Sequence, residues 1–293
     1  MVQFKIDEFF DIKSIEKAVQ LFEQLMEDRF YVNNTGISYR TINHWDEKGL
    51  IRCNRKKEGG DRRFSFIDFV WVKIVNELRT FGVSVPIVKK ITNEIYETME
   101  INELFESVAS NLHLFDDYHG QDKEEIFNFV KNKEYENHDF SDSGITFLHL
   151  LIADAIAGRE PMSIIVFKDG EWYPYNPAKE KLYSEEIINK KRFSSHISIC
   201  LLDIIFQFFQ SDTVIQFMRD FKLFTPLEQK LLDEVEAGAF KKVKVVYKTK
   251  KYASIEIKKS KTTKTQLLQI IRDRQYSNFI ITDIKGKDKK LIV

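Results

Sequence analysis

Between Ser38 and Gly82 the chain twice repeats one punctuation: a serine, a run of apolar residues at helical spacing, then a glycine. A serine just before a helix offers its side-chain oxygen to the unpaired amides of the first turn. A glycine just after it adopts the left-handed conformation that closes the last turn. Ser38 to Gly49 therefore predicts a capped helix of about three turns. A second helix opens at Ser65 or Asp68, runs through Phe81 and is closed by Gly82. The link between them, RCNRKKEGGDRRFSF, is basic and carries Gly59 and Gly60 between two short segments, the pattern of a hairpin or wing loop. A further short helix begins near Ser84. Helices this close, separated by a link this short, have to pack on one another.

The rest of the chain mixes helical and strand periods. Asp11 to Arg29 has an amphipathic helical pattern. Ile101 to Asp142 is acidic and helix-prone, and Phe147 to Ala157 is a nearly all-apolar helix. Ser163 to Phe167 and Glu171 to Tyr175 flank Asp169-Gly170, a favoured tight-turn pair, and predict a hairpin. Helices are expected at Glu185 to Lys191, from His196 to Gln210, and from a capping box at Thr225 and Glu228 to Gly238. The last segment alternates as strands, turns helical at Thr263 to Arg274, and alternates again, giving β-β-α-β-β. The expected fold is α+β. It comprises a leader helix (1–32), a winged helix-turn-helix (33–100), a helical connector (101–142) and a mixed α+β effector or oligomerisation region (143–293), whose basic end is 239–293.

Charge sorts these segments. Residues 33–90 hold 12 basic and 6 acidic side chains, and residues 239–293 hold 16 and 4, although the whole chain has a net charge of zero. Basic ends thus flank an acidic middle, which argues for separate surfaces with separate partners. The two cysteines, Cys53 and Cys200, are far apart and have no paired spacing, so neither a disulfide framework nor a structural zinc site is expected. The first residues carry acids where a secretion signal needs a basic start, and the apolar run Ile197 to Phe209 is too short and too polar to span a membrane. A cytoplasmic location without membrane attachment is the expectation.

The helix after Ser38 carries Ser38, Tyr39, Arg40, Asn43 and His44 on one side and Ile42, Trp45 and Leu50 on the other. The first side can enter a major groove, where Arg and Asn donors read base edges. Arg55, Lys56, Lys57, Arg62 and Arg63 of the basic link can lie along phosphates. TGISYRTINHWDEKGLI, with Thr41, Ile42, Trp45, Gly49 and Leu50, resembles the turn and recognition helix of the MerR family of transcriptional regulators. DRRFSFIDFVWVKIVNELRTFGVSVPIVKKI resembles that family's wing and paired helices, including Arg62, Arg63, Phe64 and Ser65. The resemblance implies double-stranded DNA as partner, a winged helix-turn-helix fold and a sequence-specific regulator. A homodimer is the expectation, because one such helix reads only a few base pairs. The bland alternative for this region is a helical protein-contact module with a solvated basic face.

Other candidates stand apart from this surface. Phe167, Trp172, Tyr173 and Tyr175 could line a pocket for a small-molecule effector or simply pack a core. His113, Asp116, Asp117 and His119 lie close in sequence, but no metal-ligand spacing relates them, and no metal or cofactor is expected. No phosphate loop, GxSxG or HExxH pattern occurs, so catalysis is not expected. The C-terminal lysines could serve solubility, a second phosphate-binding surface, or contact with the acidic middle. Competing readings of the whole are a DNA-architectural or nucleoid-associated protein with a second basic module, and a ligand-binding or enzymatic C-terminal module tethered to DNA.

Overall fold

The computed structural model describes residues 21, 24–55, 61–99, 128, 132, 145–158, 161–177, 180, 183–208, 224–248, 254–273 and 276–292. Most of the expected leader helix, nearly all of the connector at 101–142, and Lys56 and Lys57 lie outside them, as do His113, Asp116, Asp117 and His119. The chain divides into two compact units, Met1–Ile204 and Ile205–Val293. Both mix helices with antiparallel sheets. Among the described residues no helix is long and apolar enough to cross a membrane.

The first unit begins with β1 (Phe30–Tyr31), a 3-10 turn (Val32–Thr35), α1 (Tyr39–Glu47), β2 (Asn54–Arg55), β3 (Arg62–Phe64), α2 (Phe66–Thr80) and α3 (Val85–Ile95). Ser38 Oγ accepts the Thr41 amide at 3.1 Å, which starts α1. At its other end Gly49 has φ +67°, its amide bonds to the Asp46 carbonyl and the Leu50 amide to the Trp45 carbonyl. This paired closure satisfies two otherwise orphaned carbonyls. Gly82, at φ +83°, ends α2 in the same way. Strands β1, β3 and β2 form a small sheet in that order, with Arg55 opposite Arg62 and Tyr31 opposite Arg63.

Helix α2 is the spine of this unit. It is buried over most of its surface, from Phe66 and Phe69 to Trp71, Val75 and Leu78, and the stripe of Lys73, Asn76, Glu77 and Thr80 reaches solvent. It packs against α3 on one side, and also against the apolar α4 (Phe147–Gly158) and β8 (His196–Cys200). The Trp71 indole donates to the Leu50 carbonyl at 2.9 Å, and Thr92 Oγ1 of α3 donates to the same oxygen at 3.0 Å. The end of α1 is thereby tied to both following helices. Beneath them the Asp68 carboxyl accepts hydroxyl bonds from Ser65 at 2.6 Å and Tyr96 at 2.8 Å. Burial pushes both the Asp68 carboxyl and the Tyr96 phenol above their ordinary pKa values.

Strands β4 (Thr98–Met99) and β5 (Ile145–Thr146) pair antiparallel just before α4. Then β6 (Ser163–Phe167) and β7 (Trp172–Tyr175) form the expected hairpin, with Gly170 at φ +84° in the turn. After α5 (Glu185–Phe193), β8 pairs with the other edge of β6, and α6 (Leu201–Phe208) follows directly. The single helix expected over His196 to Gln210 is therefore a strand and a shorter helix. His196 and Ser198 are exposed whereas Ile199 is buried, a two-residue alternation that suits a sheet edge.

The second unit contains α7 (Pro226–Glu236), β9 (Phe240–Tyr247), β10 (Ile255–Lys258), α8 (Thr263–Asp273), β11 (Tyr276–Asp283) and β12 (Asp288–Ile292). The strands form one antiparallel sheet in the order β10-β9-β11-β12. One face carries Val243, Val245, Phe279 and Ile281, all buried along with Leu231 of α7 and Leu267 and Ile271 of α8. Glu228 completes the α7 capping box with Thr225, and its second carboxylate oxygen accepts the Tyr276 hydroxyl. This fully buried carboxylate locks the helix to the sheet.

Candidate nucleic-acid interface

Helix α1 sorts its side chains by their angle around the axis. Ile42 and Trp45 are buried, at 0% and 5% exposure. Arg40, His44 and Glu47, one turn apart in succession, are exposed on the opposite stripe, and Tyr39 beside them is 53% exposed. Ser38 is exposed and occupied as the cap. Asn43 is half-buried, and among the described residues its Oδ1 is buried without a hydrogen-bond partner. The surface read from the sequence is thus presented by Tyr39, Arg40 and His44, with Asn43 at its margin. Glu47 joins it and was not singled out, because its charge is opposite to that of the surrounding basic residues.

The basic link divides differently from its sequence. Arg55 pairs with Arg62 through the backbone of β2 and β3. Arg63 is half-buried, its guanidinium 4.9 Å from the Tyr31 ring centre. Arg62, expected to lie along phosphates, is only 5% exposed. Its Nε donates to Asp46 Oδ2 at 3.0 Å and its Nη1 to the Tyr39 hydroxyl at 2.9 Å. Arg62 therefore points inward and joins the hairpin to both ends of α1. A buried guanidinium needs such partners, since an unpaired charge away from water is strongly unfavourable. The signal for this role was Asp46, on the flank of a helix whose neighbours are basic.

Two further cations frame the helix. Lys73 Nζ of α2 donates to the Thr35 carbonyl at 2.7 Å, bracing the turn before α1, and burial lowers its pKa. Exposed Lys89 of α3 lies beside Gly49, where a side chain on that glycine would meet its Cε at 3.6 Å. Lys89 therefore extends the basic surface past the end of α1. Replacing Arg62 with alanine is expected to destabilise the domain by about 2 kcal/mol, below the value for a fully buried pair because Asp46 is 24% exposed. Urea unfolding measures the loss. The salt dependence of DNA binding should stay unchanged, whereas loss of a phosphate contact would flatten its slope by about 0.9.

The aromatic candidates lie elsewhere in the first unit and are packed. Phe167 and Tyr173 are edge-to-face at 5.7 Å, and Tyr175 stacks at a tilt on Tyr183 at 5.3 Å. All but Trp172 are less than a tenth exposed. Trp172 meets Phe147 at 5.8 Å and donates its indole N–H to Glu94 of α3 at 2.6 Å. These rings form a core that abuts α3, the packing alternative raised by the sequence.

A short turn, a tight corner and a capped helix with one apolar and one exposed polar face make residues 32–47 a helix-turn-helix whose first helix is reduced to a 3-10 turn. Residues 32–95, about a fifth of the chain, match the family model of the MerR HTH family regulatory protein. The N-terminal part is thus a helix-turn-helix of the MerR type, which indicates DNA binding and transcription regulation. No curated protein and no solved structure matches the chain.

Proposed function

We propose that this protein is a sequence-specific transcription regulator that lays α1 in the major groove of duplex DNA and rests the β2–β3 hairpin, as a wing, on the flanking phosphates. The observation that carries the reading is the α1 stripe of Arg40, His44 and Tyr39 held outward by the buried Ile42 and Trp45. Arg40 supplies the fork of donors suited to a base edge. Arg55, Lys56, Lys57 and Arg63 belong to the backbone-contacting set, Lys89 joins it, and Arg62 holds the wing to the helix. The protein acts in the cytoplasm as a homodimer, because two-fold pairing of short sites supplies the affinity that one recognition helix lacks. The Trp172 bond to Glu94 gives the region after the DNA-binding domain a direct hold on α3. A small-molecule effector that loosened that bond would act on the DNA-binding surface.

Arg40→Ala tests the groove contact. It should cost about 1 to 3 kcal/mol on the preferred site and relax the preference at one base position, with thermal stability unchanged because the side chain is exposed. Fluorescence anisotropy on specific and random duplexes measures both effects. Equal loss on the two duplexes would overturn groove reading by α1. Footprinting across genomic fragments separates regulation, with discrete palindromic sites, from the architectural alternative with broad coverage.

A further inference from the structure

The sheet of the second unit has two faces of opposite character. Val243 and Val245 of β9 point into the core, so Lys242 and Lys244 project from the other side. The strand registers extend that side into two rows. Lys258, Lys242, Thr282 and Asp288 stand abreast in one, and Glu256, Lys244, Ile280 and Lys290 in the next. Lys258 and Lys290 are exposed and Lys244 is half-buried. The turn after β11 adds exposed Lys285 and Lys287 at one end of the sheet.

The carboxylates of this face offset only part of its charge: Lys242, Lys244, Lys258 and Lys290 stand against Glu256 and Asp288. Glu256 is taken by Lys242 at 2.8 Å and Asp288 accepts from Thr282 Oγ1 at 2.6 Å. Lys244, Lys258 and Lys290 make no salt bridge among the described residues. Lys258 also stands directly opposite Lys242 across the β10–β9 pair, with the Glu256 carboxylate beside them as their shared counter-charge.

We propose that this open lysine face is a second nucleic-acid contact that tracks the phosphate backbone of duplex DNA without reading its sequence. Three features select that partner. The charge is a spread of lysines spaced by the sheet, about 4.8 Å between strands and about 6.8 Å along β9, which matches a repeating polyanion better than one compact anion. The residues are lysines, point charges suited to phosphate and lacking the planar fork of an arginine that reads a base edge or a single carboxylate. No aromatic side chain stands on this face among the described strands, so the stacking platform that grips single-stranded bases is missing. The basic helix-turn-helix and the basic sheet then share one ligand, while the negative charge of the remaining chain keeps the whole neutral.

The test uses the full-length protein and a random-sequence duplex, with affinity measured by anisotropy between 50 and 300 mM salt. Neutralising three cations in Lys244→Gln, Lys258→Gln, Lys290→Gln should flatten the salt slope by about 2.7 and lower low-salt affinity at least tenfold. Circular dichroism and the thermal midpoint should stay as in the parent. The charge-reversed Lys→Glu triple should lower affinity further. Preference for a selected site over random DNA should survive, which separates this surface from α1: Arg40→Ala changes the preference and leaves the slope nearly intact. If the helix-turn-helix reading alone is wrong, the triple variant removes the random-duplex binding. An unchanged slope in folded triple variants would overturn the proposal. So would displacement of the duplex by polyglutamate at equal charge concentration, which would assign the face to an acidic polypeptide.

Discussion

Trp71→Ala is expected to destabilise the first unit by about 3 to 5 kcal/mol and to abolish DNA binding near physiological temperature. The side chain is fully buried on α2, meets Tyr96 edge-on at 6.2 Å, and donates to the Leu50 carbonyl. Truncation removes the ring's contacts and leaves a cavity that the helices around it can fill only partly. The carbonyl keeps its Thr92 donor, so the loss is mainly one of packing. Against a total stability of about 5 to 15 kcal/mol, that loss populates the unfolded state substantially. Trp71→Phe should retain much of the packing. Urea titration gives the stability difference, and a stabilising osmolyte at low temperature should restore DNA affinity to the alanine variant, since no base or phosphate contact is removed. A loss below about 1 kcal/mol would show that α2 is not the spine described here.

The second large effect is on acid stability. His149 of α4 is 2% exposed, and burial pushes its pKa down to about 3. Its surroundings agree with the neutral form: Nδ1 accepts the Thr146 amide at 3.2 Å, and the Thr146 hydroxyl lies 2.7 Å from the same nitrogen. That leaves the proton on Nε2, 2.8 Å from Met26 Sδ. In the unfolded chain the imidazole takes up a proton near its ordinary 6.5, so the unfolded state binds more protons as the pH falls. Stability is therefore present above pH 6.5 and is lost progressively toward pH 3. Between pH 7 and pH 5 the loss from this one group should be about 2 kcal/mol. His149→Asn, which keeps an acceptor near the Nδ1 position and does not titrate, should remove that slope. If the variant's stability falls between pH 7 and pH 5 as steeply as the parent's, His149 is not the group responsible.

Local chemistry made much of this structure legible beforehand. The caps at Ser38, Ser65 and Thr225, the closures at Gly49 and Gly82, and the Asp169-Gly170 turn each depend on a few adjacent residues, and each lies where its residue types require. The outward face of α1 was readable for the same reason: Ile42 and Trp45 fix the buried side, and the helical period assigns the rest. What escaped depends on distant partners. His196–Cys200 runs into an apolar helix, and only the free edge of β6 makes it a strand. Arg62 is basic in sequence, yet its direction is decided by Asp46, sixteen positions earlier. The pairing of β4 with β5 joins segments separated by the whole acidic stretch.

The Arg62 clasp has a kinetic and thermodynamic corollary for target choice. Because one guanidinium bonds both Asp46 and Tyr39, hairpin and helix are tied into a single jaw. Such a jaw cannot keep its outer grip while the inner edge slips past a wrong base step. On the proposed reading of DNA by α1 and the hairpin, a mismatch is then penalised twice, in the lost base contact and in the misaligned backbone, and near-cognate sites should release the protein faster than a hinged flap would allow.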